Sequence, residues 1–305
     1  MSKLGLALGG GGARGLAHIG ILKVLESEKI KISSITGCSM GALVGGLYAY
    51  YENIKAVEDF IFKAMKHPKF LELGMEHFDK KKIGEERNYF EQFFDFIGAR
   101  INALKALNHL SYFDEEITSE IYELIPDVPI ENFKIKFSAI STDLLSGKEI
   151  NFTTGSLRNA IRASSAIPGI FPPLKLENYF LVDGSTSESV PVGRVKEIGA
   201  DRVLAVDVTK SININSVPQN VFDILYRSED ITSYYLSHER LKEADLIIEP
   251  DVKNYSWSDF ENATKIIETG EQVAKDKIKE IRKLANRNCY LLQFEQFLKK
   301  IKKAV

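Results

Sequence analysis

Four consecutive glycines, Gly9 to Gly12, follow directly on the apolar run Leu4–Leu8, and a helical pattern with Leu16, Ile19, Leu22 and Leu25 comes next. Together they predict a short buried strand that opens through a glycine turn into a helix over Arg14 to Lys29. Glycines at such a junction leave backbone N–H groups uncovered, and the start of the helix favours negative charge. The turn suits either the phosphates of a cofactor or the charge that develops on a substrate during a reaction.

The next junction bears on that choice. Residues 32–36 are rich in isoleucine, serine and threonine and read as a strand. Gly37-Cys38-Ser39-Met40-Gly41 then leads into a helix in which Gly41, Ala42, Gly45 and Gly46 allow close packing. G-x-S-x-G between a strand and a helix matches a nucleophile elbow, a sharp turn that presents the serine hydroxyl. Gly37 and Gly41 are required there because a side chain would collide with neighbouring strands or the following helix. The competing motif is G-x-G-x-x-G, which Gly10, Gly12 and Gly15 satisfy. A dinucleotide fold wants an acidic residue about 20 positions further on, where the second strand ends. Ser39 stands in that region, and no Gly-Lys-Ser/Thr follows the glycines. Two successive strands of a parallel sheet thus end on one edge, one offering N–H groups and the other a hydroxyl. That pairing describes an oxyanion hole beside a serine. A dinucleotide-binding or purely binding protein is the weaker alternative.

Strand signals recur at 134–140, 148–153, 179–182, 203–208 and 246–249, with helical segments between and after them. Strands alternating with helices predict a three-layer α/β/α fold around a mostly parallel sheet. The strand signal lapses between about 66 and 130, which reads as a helical insertion, either covering a sheet edge or acting as a lid. Residues 1–284 form the expected domain and 285–305 a basic amphipathic tail. With Leu291, Leu292, Phe294, Phe297, Leu298 and Ile301, this tail can lie on an anionic membrane or pack on the body.

Composition narrows the function classes. A net charge of -2 over 305 residues argues against nucleic acid as a partner. Cys38 and Cys289, far apart and without metal or redox spacing, suggest a reducing compartment. No apolar run reaches the roughly 18–20 residues of a membrane span. The first apolar run stops after five residues, unlike a signal peptide. The expectation is a cytoplasmic protein that can touch membrane surfaces.

A serine nucleophile needs a base. His18, His67, His77 and His109 lie in the first helix or the insertion. His238 lies on a polar helix, where a Ser–Asp–His order is formally open. Asp183 follows an apolar strand and precedes a glycine, so it is expected at the carboxyl end of a parallel strand, facing the ligand crevice. Asp207, in a similar place but without the glycine turn, ranks second.

Four blocks, "GGGGARG" at 9–15, "GCSMG" at 37–41, "RASSAIPGIFPP" at 162–173 and "DGS" at 183–185, resemble the patatin-like phospholipases in the family's order. The likeness is closest to the short bacterial members, which are related to the catalytic domain of neuropathy target esterase, and it spans about residues 3–282. It implies a serine–aspartate dyad acting on acyl esters of lipids, with Ser39 as nucleophile and Asp183 as general base. It also implies an oxyanion hole from the N–H groups of Gly10, Gly11, Gly12 and Arg14, and no metal or organic cofactor. Gly15, Gly37, Gly41, Gly184 and Pro168 support these motifs, the proline block being either a wall of the site or a structural loop. Two positions depart from the family pattern. Gly9 stands where aspartate is common, and Ser185 replaces glycine or alanine, so that its hydroxyl can donate to Asp183 and lower its basicity.

Overall fold

The computed structural model describes residues 3–75, 110–209 and 221–286. Its strands are β1 (Leu4–Leu8), β2 (Ser34–Gly37), β3 (Lys136–Asp143), β4 (Glu149–Phe152), β5 (Leu174–Leu176), β6 (Tyr179–Asp183), β7 (Arg202–Val206) and β8 (Leu246–Ile248). The helices are α1 (Ala17–Ser27), α2 (Met40–Tyr51), α3 (Ile54–Met65), α4 (Pro68–Glu72), α5 (Glu115–Glu123), α6 (Leu157–Ser164), α7 (Val192–Glu197), α8 (Val221–Leu241), α9 (Ala263–Asp276) and α10 (Ile278–Asn286).

The strands form one sheet in the order β5-β6-β3-β2-β1-β7-β8, with β4 also paired to β3. From β3 through β8 the pairs are parallel, while β4, β5 and β6 join antiparallel. Alternation along the strands divides the core. Leu4, Leu6 and Leu8 of β1 and Leu204 and Val206 of β7 pack with α1, α2, α3, α9 and α10 on one face. Ala7, Val203 and Ala205 point to the other face and meet Val192 and Val195 of α7 and Leu241 of α8. Because both faces are covered, the central strands are apolar throughout instead of alternating. The fold is the expected three-layer α/β/α architecture.

Helix packing uses the small residues the sequence offers. A Cβ on Gly45 would sit 2.7 Å from Ile35 Cγ2, so α2 lies close on the sheet. On the same face α1 crosses α9 with backbones in contact: a Cβ on Gly20 would fall 2.0 Å from the Ile267 carbonyl oxygen, and one on Gly270 2.0 Å from that of Ala17.

The first helix begins as a 3-10 turn, Gly12–Leu16, because the glycine turn must swing the chain away from β1 before an α-helix can start. The three-residue strand β5 carries too little pattern to be read from sequence. Within 66–130 the described parts include α4 and α5, while 76–109, and with them His77 and His109, lie outside the described residues, as do 287–305 of the tail. No helix among the described residues is long and apolar enough to cross a membrane.

Candidate active site

β2 ends at Gly37, and two residues later the chain enters α2. The turn is made at Ser39, with φ 53° and ψ −122°. A side chain in that region is strained by about 1–3 kcal/mol, and such strain is tolerated only where the surroundings over-determine it. Here they do. A Cβ on Gly37 would lie 2.4 Å from the Gly41 and Ala42 backbone, and one on Gly41 would lie 2.2 Å from the Leu8 carbonyl oxygen. The collisions expected at these glycines are therefore with α2 and with β1. The Ser39 N–H donates to Ser164 Oγ at 3.0 Å, fixing the elbow from α6. Ser39 is itself nearly buried.

Asp183 reaches Ser39 by a route the sequence did not suggest. The expectation placed it at the end of a parallel strand, but β6 runs antiparallel to β3. β2 and β6 lie along the same side of β3, since β4 occupies the other. Gly37 faces Ala139 and Asp183 faces Ser141, so the carboxyl ends of β2 and β6 converge head to head. The nucleophile turn and the carboxylate meet there because two opposed strands stop there. Gly184 must lack a side chain for the same reason: its Cβ would be 2.6 Å from the Ile140 carbonyl oxygen.

The Asp183 carboxyl is fully buried, and burial raises its pKa above the ordinary aspartate value. The Ser185 N–H, the Ser39 and Ser185 hydroxyls and the Cys38 thiol oppose that rise. Oδ1 accepts from Ser185 N at 2.8 Å and from Cys38 Sγ at 3.5 Å. Burial and the neighbouring carboxylates push the Cys38 thiol well up, so it stays protonated and serves as a donor. Oδ2 is buried and has no hydrogen-bond partner among the described residues.

The glycine loop flanks the same point. A Cβ on Gly10 would lie 3.2 Å from Ser39 Cβ, which shows how closely the backbone approaches Ser39. The loop is pinned on both sides: Gly9 N–H donates to Val206 at 3.0 Å, Gly10 N–H to Ser189 at 3.0 Å, and Ala13 N–H to Trp257 at 2.6 Å. Gly10 therefore spends its donor on the chain that follows Asp183. Gly11 and Gly12, the latter with φ 57°, carry N–H groups for which the described residues provide no acceptor. Arg14 is buried beneath the loop, and Gly15 makes room for Met40, whose Cβ would be 2.6 Å from a side chain there.

His18 is fully buried with Nε2 2.8 Å from the Gly9 carbonyl oxygen. Burial lowers its pKa to about 4, against a partial rise from that bond, so it is neutral and donates through Nε2. It holds the glycine loop through that bond. His67 caps α4, accepting from Lys69 N at 3.4 Å. His238 stacks on Tyr234 with ring centroids 4.0 Å apart and makes no bond to Asp183. Asp207 closes the turn after β7, accepting from Thr209 N at 2.8 Å.

The proline block adjoins the site. The Asp183 N–H donates to the Ala166 carbonyl at 2.9 Å, and Ser164 holds the elbow from the same segment. Pro168 is half-buried beside Ile167, Ile170 and Phe171, which pack with Phe113, Leu73, Met75 and Trp257 in a second apolar cluster. Sequence reasoning did not single out Ser164, Cys38, Ser189 or Trp257. The first two lay inside quoted motifs, whereas Trp257, the chain's one tryptophan, gave no local signal of its approach to Gly12.

An uncharacterised NTE family protein of Mycobacterium bovis is 32% identical over 211 residues, which cover 68% of this chain and 50% of that protein. A lysophospholipase of Neurospora crassa is 31% identical over 205 residues, 67% of this chain and 12% of the relative. The chain thus spans about half the length of the first and a small part of the second. The solved structure of VipD from Legionella pneumophila aligns over 92% of this chain and 67% of its own at 14% identity, with a TM-score of 0.45. The family model of patatin-like phospholipases matches residues 6–195, well over half of the chain. The chain belongs to the patatin-like phospholipase family.

Proposed function

We propose that the chain is a serine hydrolase that cleaves acyl esters of lipids through a Ser39–Asp183 dyad. The observation that carries this reading is the fully buried Asp183 carboxyl, with Oδ2 unpartnered among the described residues and the Ser39 hydroxyl among the groups that favour its ionised form. Desolvation raises the basicity of that oxygen, and a lone pair without a donor is ready to take the serine proton. Ser39 Oγ attacks the ester carbonyl as its proton passes to Asp183. The N–H groups of Gly11 and Gly12 hold the oxyanion, and Gly10 orients them through its bond to Ser189. Collapse breaks the ester C–O bond, the leaving alcohol takes the proton from Asp183, and an acyl-Ser39 ester remains. Water, deprotonated by Asp183, then releases the fatty acid. No step calls for a metal or an organic cofactor.

The lysophospholipase names of the fungal relatives favour phospholipids or lysophospholipids as substrates. Turnover of a short-chain p-nitrophenyl ester tests the dyad. Ser39→Ala and Asp183→Asn should be nearly inactive and His238→Ala active. Loss of activity in a folded His238→Ala protein equal to that of Ser39→Ala would replace the dyad with a triad.

A further inference from the structure

The turn between β3 and β4 presents two adjacent leucines to solvent, Leu144 at 51% and Leu145 at 71% exposure. Turns favour Gly, Pro, Asn, Asp and Ser, so a Leu-Leu pair at a tip is not explained by turn chemistry. The tip is also firmly built. Asp143 Oδ1 accepts from Phe180 N at 2.9 Å and Leu145 N at 3.3 Å, and Oδ2 accepts from Ser146 N at 3.0 Å and Ser146 Oγ at 2.6 Å. Leu144 N–H donates to the Phe180 carbonyl at 2.9 Å, which ties the turn to β6. The structure therefore holds these leucines outward on a braced support.

Their place on the sheet gives the exposure a direction. β3 runs parallel to β2 and continues past it, so the tip stands on the edge of the sheet that carries Ser39. Ser141 faces Asp183, and the paired register runs outward from there to Asp143 opposite Leu181, where the turn begins. The bond from Leu144 to Phe180 keeps the turn beside the start of β6, whose Tyr179 is 41% exposed. Lys148 and Lys175 are exposed on the flanking strand ends, with Lys175 Nζ 5.8 Å from the Phe180 ring centroid. Exposed leucines on a braced turn, with an exposed tyrosine and two exposed lysines on the adjoining segments, supply the apolar, amphipathic and cationic groups that a bilayer interface takes up.

We infer that the β3–β4 turn, through Leu144, Leu145 and Tyr179, is a prong that enters the interface of a lipid bilayer and sets the Ser39 edge against it. The inference rests on the lipid-hydrolase reading for its purpose, but its test does not. Sedimentation with phosphatidylcholine–phosphatidylglycerol vesicles is measured in a Ser39→Ala background, so that no lipid is consumed. Leu144→Ser/Leu145→Ser should weaken vesicle partition at least about tenfold. In the otherwise native chain the same pair should leave p-nitrophenyl ester turnover and thermal midpoint unchanged while vesicle-lipid hydrolysis falls. Vesicle binding equal to that of the parent, or a parent that does not bind vesicles, would overturn the prong. A marked fall in thermal midpoint would also overturn it, by showing that the leucines pack within the protein. Failure of the hydrolase reading would appear separately, as ester turnover that survives Ser39→Ala.

Discussion

Glu188 follows Asp183 by five residues and precedes Ser189, whose carbonyl holds Gly10. Its carboxylate is nearly buried and faces Glu149, Arg194 and Arg240, with Arg240 Nη1 3.0 Å away. Arg194 is itself shared between Glu149 and Glu197. Two opposing effects meet here. The arginines favour ionisation, but they are about a third exposed and partly screened by water. Burial, followed by the Glu149 charge, wins and raises the Glu188 pKa from 4.5 to about 7. That rise corresponds to about 3 kcal/mol against the ionised form in the folded state. The folded protein binds the proton more tightly than the unfolded chain. Stability is therefore full below pH 4.5 and is lost as pH rises through about 7. Glu188→Gln should remove this loss. Relative to the parent its thermal midpoint should be only about 2 °C higher at pH 5 and about 6 °C higher at pH 8, using ~2 °C per kcal/mol for a chain of this size. Thermal denaturation followed by circular dichroism between pH 5 and pH 8 measures the difference. A variant less stable than the parent at pH 8 would show that the Arg240 pair outweighs burial and would refute the reasoning.

Other outcomes follow from the same geometry. His18→Phe leaves the buried Gly9 carbonyl without its donor and should cost about 1–3 kcal/mol of stability. It should also lower kcat about 10–100-fold with KM nearly constant, because an oxyanion donor is no longer held in position, and His18→Gln should restore part of the rate. Ser185→Ala removes a hydroxyl that lowers the Asp183 pKa, so the acidic limb of kcat/KM should move to higher pH, and an unmoved limb would exclude Asp183 as its source. Gly41→Ala drives a methyl to 2.2 Å from the Leu8 carbonyl and should cost at least about 3 kcal/mol. Gly193→Ala meets nothing within 4 Å and should gain about 0.5–1 kcal/mol, as chemical denaturation will show.

The parts of the site within one strand–turn–helix unit were legible in the sequence. Ser39 between Gly37 and Gly41 follows from local sterics, and so does the glycine loop after β1. What joins the units was not legible. Asp183 was singled out on the wrong strand direction, because antiparallel entry of β6 depends on pairing with β3 across about 40 residues of chain. Gly10 read as an oxyanion donor, yet its N–H belongs to Ser189, a contact between segments about 180 residues apart. His18 read as a residue of the first helix. It is packed, and its bond to Gly9 makes that packing part of the loop's geometry.

The central claim, that Asp183 alone activates Ser39, is tested most directly by covalent trapping. An alkyl fluorophosphonate forms a bond from Ser39 Oγ to phosphorus as fluoride leaves, and the serine proton passes to the base. Peptide mass spectrometry should find the adduct on Ser39 in the parent and in His238→Ala at similar rates. In folded Asp183→Asn the rate should be about 10²–10⁴-fold slower. Labelling at the parent rate in Asp183→Asn, or an adduct on a residue other than Ser39, would contradict the account.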